Sequence, residues 1–412
     1  MRFWKNGALT SEADDMAPDD QPLSGIRILD LSRAMAGPFC TQLLGDLGAQ
    51  VVKVESLDGD ETRRWGPFWN GVSCYFLSAN RNKRSIALDL KHPEGLAIAC
   101  SLADQSDVVV ENFRPGTVNR LGLDYETLAA RNPRLIYCSV SGFGQDGPRA
   151  QEAAYDVLMQ GFAGLLGLTG IPGGPPVRAG LPVTDYGAGL FATTAILTAL
   201  YRRQLDGQGQ KVETSLLEGQ LTWLGYYMIG YLANGEIPPR MGSAHPSLTP
   251  YKAYRAGDDY FVLAVGNDGQ WKRLCQAIDA PELADDPRFV TNIDRLAHRE
   301  EQDALLEAIF ARFTAAELIQ RINRAGVPGG PINTVDQIIA DPQVQHLGMV
   351  PNVPHPDIPE LQLAGIPIHL SRTPGAIQSS PPQLGEHTDE ILDELGYAHE
   401  VVARLRQDNV VG

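Results

Sequence analysis

Asp185 stands in the stretch Gly180-Leu181-Pro182-Val183-Thr184-Asp185-Tyr186-Gly187, just ahead of small and apolar residues that read as a helix over Tyr186–Tyr201. Two kinds of chemistry fit. An aspartate at a helix start is a favoured N-cap, and the residue types alone favour that reading. The same position faces free N–H groups and the positive end of the helix dipole. Neighbouring glycines let a substrate approach closely. In such a place a carboxylate can serve as a covalent nucleophile.

Cations gather in Arg63-Arg64 and in Asn80-Arg81-Asn82-Lys83-Arg84. Beside strand ends they suit a phosphate-bearing ligand, with Arg in bidentate contact and Lys as a point charge. They suit a solvated surface loop equally well. Asn267-Asp268-Gly269-Gln270 reads as a turn, either a plain connector or a mobile loop over a site. Other chemistries lack their signatures. The turn Ala34-Met35-Ala36-Gly37-Pro38 is not GxGxxG, no Walker A sequence occurs, and the eight histidines show no metal-ligand spacing. No NAD(P), nucleoside triphosphate or metal site is expected. Cys40, Cys74, Cys100, Cys138 and Cys275 are odd in number and widely spaced, as in a reduced cytoplasmic protein, and read as core residues.

The elements that must position these residues alternate. Apolar runs at Ile26–Leu31, Gln50–Val54, Asp107–Val110 and Leu135–Val140 read as strands. Phe39–Leu47, His92–Gln105 and Tyr125–Ala130 read as helices between them. That alternation predicts an α/β fold with a parallel sheet covered on both faces. Ligands of such sheets gather at the carboxyl ends of the strands, here Ser32–Gly37, Glu55–Asp60, Glu111–Gly116 and Ser141–Gly147. A second helix is expected over Ser215–Leu232. Strands at Tyr251–Ala256 and Tyr260–Val265, with helices through 270–326, mark a smaller α+β domain over 246–332. Residues 22–232 and 333–412 form the larger domain, closing on a helix over His387–Leu395.

The chain has 412 residues and a net charge of −16. Length points to more than one core. The acidic balance argues against non-specific binding to nucleic acid or an anionic membrane, so a polyanionic ligand would need a local basic pocket. Residues 1–21 carry five acids and no apolar core segment, and they read as a mobile lead-in. The most apolar stretch, about Leu216–Leu232, is interrupted by Glu218 and Gln220 and is short for a membrane span.

Seven segments together resemble the class III CoA-transferases, the family of formyl-CoA transferase, carnitine CoA-transferase, bile-acid CoA-transferase and α-methylacyl-CoA racemase. They are LSGIRILDLSRAMAGPFCTQLLGDLGAQVVKVE, NRNKRSIALDL, VVVENFRPG, SVSGFGQDGP, GLPVTDYGAG, GQGQKVETSLLEG and VPGGPINTVDQ. The resemblance runs from about Leu23 to the C-terminus. It implies a split Rossmann-like large domain, a smaller domain, and an interlocked homodimer. It implies coenzyme A thioesters and small carboxylic acids as substrates, with no tightly bound cofactor. Asp185 matches the carboxylate that is acylated and then carries CoA as a thioester. Ala34, Met35, Ala36, Lys83, Asn112, Phe113 and Arg120 match positions lining the CoA groove, and Arg84 lies next to Lys83. Tyr155 falls near the acyl group. Gly266–Gln270, with Gly269 and Gln270, falls at the active-site glycine loop.

Departures from the family pattern narrow the reading. Racemase-type members carry His-Asp where this chain has Tyr155-Asp156, which removes the expected base and argues for transfer. Met35 replaces a glutamine and Ala153 a lysine of formyl-CoA transferase, and the glycine loop is poorer in glycine. These argue against formyl and oxalate as acyl groups. The expected activity is CoA transfer between an acyl-CoA, such as succinyl-CoA, and a small organic acid. An acyl-CoA racemase or isomerase, an intramolecular CoA transfer and a non-catalytic acyl-CoA-binding protein are the alternatives.

Overall fold

A computed structural model describes residues 21–412 of the chain. Residues 1–20, nearly all of the expected lead-in, lie outside the described residues. Gln21, the last residue assigned to that lead-in, is instead buried, and its side-chain oxygen accepts a 2.6 Å hydrogen bond from Gln378.

The chain divides into two units. The first comprises described residues up to Gly164, Ala179–Gly225 and Gln345–Gly412. Its strands are β1 (Arg27–Asp30), β2 (Gln50–Glu55), a short hairpin of β3 (Phe68–Trp69) and β4 (Val72–Ser73), β5 (Lys83–Ala87), β6 (Val108–Glu111), β7 (Ile136–Ser141) and β8 (Gln210–Ser215). Six form one sheet in the order β5-β2-β1-β6-β7-β8, and every pair is parallel. Alternate residues of each strand enter opposite cores, as a period of two requires. Leu29, Val109 and Tyr137 pack with Ile391, Leu392 and Leu405 of the C-terminal helices. Ile28, Val108, Val110 and Cys138 pack on the other face with Ala188, Ala192 and Ile196. The parallel α/β fold expected from the alternation is present. The chain winds outward from β1 in both directions, so the strand order reverses between β1 and β6, where ligands of such sheets bind.

Two strands of this sheet went unread. β5 carries Lys83 and Arg84, and β8 is a polar edge strand, so neither shows an apolar run. The helix read as Tyr186–Tyr201 spans Val183–Asp206. By length and composition it is the one helix among the described residues apolar enough to cross a membrane, and half of its most apolar window is buried in the fold. Gly189 allows its close packing: a Cβ there would lie 2.8 Å from the Ala36 carbonyl oxygen. The next helix, Leu216–Asn234, breaks at Gly225, where φ is 48°.

The second unit comprises Leu165–Arg178 and Tyr226–Val344. Its bounds thus differ from the 246–332 read from composition. Strands β9 (Tyr251–Arg255), β10 (Tyr260–Ala264) and β11 (Gly329–Pro331) form an antiparallel sheet in the order β11-β10-β9. Trp271, Phe289, Phe310, Leu318 and Ile322 fill its core with Tyr254 and Phe261.

Candidate active site

A cavity of about 560 Å³ opens at the carboxyl ends of β1, β2, β5 and β6. Its walls come from Leu31–Arg33, Lys53–Glu61, Arg64, Leu88–Lys91 and Phe113. Apolar side chains alternate with cations. Arg33 lies over the Phe113 ring at 5.6 Å, and Arg64 and Lys91 are exposed at the rim. Among the described residues none of these three cations has a carboxylate partner. In a chain this acidic, unpaired cations around a half-apolar cavity suit a ligand with a flat apolar part and phosphates.

The sequence-derived phosphate ligands fare differently. Lys83 is wholly buried, with its ammonium on Asp30 at 3.1 Å, Asn80 Oδ1 at 2.9 Å and the Pro38 carbonyl at 2.9 Å. Burial brings it down to about 8 against the pull of Asp30. With three partners and full burial, its ammonium has a structural place here and is not offered to a phosphate. Arg84 is occupied by Glu390 and Glu394, each at 2.6 Å. Arg63 is likewise held by Glu55 at 2.7 Å. Asn112 gives its amide to the backbone of Arg33, accepting from its N–H at 2.9 Å and donating to its carbonyl at 2.7 Å. It shapes the turn after β1. Arg120 is exposed, donates to Thr117 Oγ1 at 3.2 Å and is not among the cavity walls. Phe113 is one of the cavity walls. Arg33 and Leu57 fall within strand ends expected to gather ligands, Ser32–Gly37 and Glu55–Asp60, while Leu90 and Lys91 were missed. Lys91 follows directly on the quoted NRNKRSIALDL, in the turn beyond β5, so a cation just past a strand's carboxyl end was the available signal.

The turn Ala34–Ala36 lies against the helix that carries Asp185. Ala34 has a left-handed backbone (φ 64°), Met35 is buried, and Ala36 begins the helix Ala36–Asp46. Phe39 of that helix meets Tyr186 edge to face, with ring centroids 4.8 Å apart. Gly187 accommodates Trp223, since a Cβ there would lie 2.7 Å from the indole.

Asp185 is not the cap that residue types favoured. Pro182 holds the N-cap position and makes no side-chain cap bond. Asp185 lies inside the first turn. The capping carboxylate is Asp156, from another helix, Asp156–Phe162. Its Oδ1 accepts the Thr184 N–H at 3.0 Å and the Thr184 hydroxyl at 2.9 Å, and its Oδ2 accepts Gln160 Nε2 at 2.7 Å. Gln160 Oε1 in turn accepts the Ala179 N–H at 2.8 Å, which fixes the chain leading to the helix. No donor reaches the Asp185 carboxylate among the described residues. Burial, reinforced by the Asp156 charge, pushes Asp185 up to about 7. A carboxylate with that value and no compensating partner is a candidate for chemistry. Asp156 and Gln160 were not foreseen; only the Tyr155-Asp156 comparison pointed toward them.

Tyr155 precedes Asp156, and 58% of its surface is exposed. Gly269 and Gln270 belong to the second unit. There Asn267 caps the helix Asp268–Ala277 by accepting the Gln270 N–H, and Gln270 Oε1 accepts the Gly266 N–H at 2.6 Å.

Comparison with known proteins identifies the family. The model of CoA-transferase family III matches residues 23–388. The succinate–glutarate CoA-transferase of Agrobacterium fabrum is 41% identical over 389 residues, 92% of this chain and 97% of that protein. The acetyl-CoA:oxalate CoA-transferase of Acetobacter aceti is 42% identical over 331 residues, 80% of this chain and 85% of that protein. The crystal structure of a CaiB/BaiF family protein from Brucella suis superposes with a TM-score of 0.83 at 41% identity, covering 91% of this chain and 99% of that one.

Proposed function

The chain belongs to CoA-transferase family III, and on that premise we propose that it moves CoA from an acyl-CoA to a small dicarboxylic acid through a covalent intermediate on Asp185. The observation that carries the reading is Asp185 itself. It is a half-buried carboxylate with no donor or cation on it among the described residues, and it is about half ionised at pH 7.

The steps follow from a carboxylate nucleophile. An Asp185 oxygen attacks the thioester carbonyl carbon. The C–S bond breaks, giving a mixed anhydride and the CoA thiolate. The thiolate attacks the Asp185 carbonyl carbon of the anhydride. This releases the donor acid and leaves an aspartyl-CoA thioester. The acceptor carboxylate attacks that thioester, expelling the thiolate and forming a second anhydride. The thiolate then attacks the acceptor acyl carbon, giving the new acyl-CoA and free Asp185. Thioester energy passes through the anhydride, so the sequence needs no electron transfer. Its weak point is hydrolysis of the anhydride, which exclusion of water suppresses.

A value near 7 suits the task. An ordinary aspartate is a poor nucleophile and a good leaving group; raising its pKa strengthens attack while leaving about half ionised at neutral pH. The strand-end cavity is the proposed seat of the nucleotide end of CoA, with Arg33, Arg64 and Lys91 for its phosphates. The relatives' names give succinate, glutarate and oxalate. They support a short dicarboxylate acceptor here, and oxalate, set aside on Met35, returns among the acids to test. The glycine loop Gly266–Gln270 and Tyr155 keep their proposed roles in the acyl step through the family resemblance. An interlocked homodimer is the proposed working form. Leu190, Tyr201 and Leu205, all exposed along the helix Val183–Asp206, support it.

The test is CoA transfer with succinyl-CoA as donor and a panel of short dicarboxylates as acceptors, in wild type and Asp185→Ala. Transfer that survives the substitution near the wild-type rate overturns the mechanism.

A further inference from the structure

Asp60 joins the two loops that wall the strand-end cavity. It belongs to the loop after β2, yet both of its carboxylate oxygens lie 3.3 Å from the N–H of Ala34, in the turn after β1. The same carboxylate is 3.0 Å from the Lys53 ammonium. That ammonium donates to the Ser32 carbonyl at 2.8 Å, and so holds the β1 turn from its other side. Both side chains are buried. Asp60 also closes its own loop. Its carboxylate accepts the Thr62 N–H at 3.0 Å, and its N–H donates to Glu55 at 3.0 Å.

The turn needs such a hold. Ala34 adopts φ 64°, a left-handed conformation that is unfavourable for a residue with a Cβ. Asn112 clamps Arg33 next to it, so consecutive residues Ser32, Arg33 and Ala34 are each fixed by a different side chain. Neither Asp60 nor Lys53 enters the proposed transfer steps. Lys53 is closed off by Asp60 and the Ser32 carbonyl, which leaves its ammonium no phosphate to bind. A buried ion pair is weak evidence for stability. This one lies in a cavity wall.

We propose that Asp60, backed by Lys53, is a positioning residue for the CoA thioester: it locks the Ser32–Ala36 turn to the β2 loop, so that the cavity is formed before its ligand arrives. The inference rests on the reading that this cavity takes coenzyme A. A preformed cavity spares the ligand the ordering of two loops. Loss of the lock therefore weakens the acyl-CoA and leaves the acid and the chemistry at Asp185 nearly untouched.

The experiment compares wild type with Asp60→Ala, Asp60→Asn and Asn112→Ala. It uses titration calorimetry with coenzyme A, KM for acyl-CoA and for acid, kcat, and the thermal midpoint. Asp60→Ala is expected to weaken coenzyme A, and to raise KM for acyl-CoA, by about tenfold or more. The acid KM and kcat stay within about threefold. Asp60→Asn keeps an oxygen for the Ala34 N–H and falls between. Asn112→Ala shows the same split, and carries the test with Asp60→Asn if Asp60→Ala does not fold. Variants that lose thermal stability yet bind coenzyme A like wild type overturn the inference, as does an equal rise of both KM values. If wild type binds no coenzyme A, the reading of the cavity falls as well; if wild type binds and the variants match it, this inference falls alone.

Discussion

The carboxylates beneath the strand-end cavity and those at the start of helix Val183–Asp206 meet opposite surroundings. Burial alone would raise Asp30, Glu55 and Asp60. Lys83 and Lys53 bring Asp30 down to about 2, Arg63 and Lys53 lower Glu55, and Lys53 lowers Asp60. Hydroxyls complete the matching: Ser32 and Thr41 both donate to Asp30, Thr41 at 2.6 Å. Asp185 has burial without compensation. Its neighbouring charge is another carboxylate, Asp156, and it rises to about 7. The cavity floor is a neutralised scaffold that keeps loops in place. The helix start keeps a carboxylate unneutralised, at some expense of stability, where the proposed mechanism needs a nucleophile.

The contrast can be broken from either side. The largest expected effect is on turnover: Asp185→Ala lowers transfer by about three orders of magnitude or more while leaving coenzyme A affinity near wild type. A comparable fall in affinity would make Asp185 a binding residue instead. Next comes the scaffold. Lys83→Met leaves the Asp30 carboxylate buried without its closest cation, and equilibrium denaturation should show a loss of about 3–5 kcal/mol. A loss below about 1 kcal/mol would mean that the floor is not the matched layer described here.

The pH profile sharpens the comparison. The Asp185 value is raised, so its ionised, nucleophilic form is lost as pH falls through about 7. The rate of enzyme acylation should drop roughly tenfold per unit below that point. Asp156→Asn removes the like charge but keeps an oxygen for Thr184, and it should move the midpoint down by about one unit. A midpoint that stays put would leave burial as the whole cause. The smallest effect is on stability. A folded-state value above the unfolded one means that ionising Asp185 opposes folding, and that penalty grows as pH rises from about 4 to 7. Asp185→Asn should therefore raise the thermal midpoint by about 2 °C or more at pH 8, with the gain fading at pH 4. An equal gain at both pH values would assign it to packing.

Much of this was legible in the sequence, unevenly. Val108–Glu111 and Ile136–Ser141 declare themselves because a parallel strand buried on both faces is apolar throughout. Lys83–Ala87 hides because its lysine is neutralised by Asp30, a residue far away in sequence. That same invisibility turned Lys83 into a supposed phosphate ligand. A free cation and a buried one look alike until their partners are known. Lys91, one residue beyond the quoted segment, lines the cavity and has no carboxylate partner among the described residues. At Asp185 the residue was found through the family resemblance, while local propensity misassigned its geometry. Tertiary contact supplied the cap from Asp156, which let the helix start at Val183 and freed Asp185 from capping.

The most direct measurement of the central claim is covalent. The protein is incubated with succinyl-CoA, trapped with hydroxylamine or borohydride, digested and analysed by mass spectrometry. The account predicts a hydroxamate or alcohol on the peptide at Asp185, absent without acyl-CoA and absent in Asp185→Asn. Transfer activity with that peptide unmodified, or with the label on another residue, would contradict it.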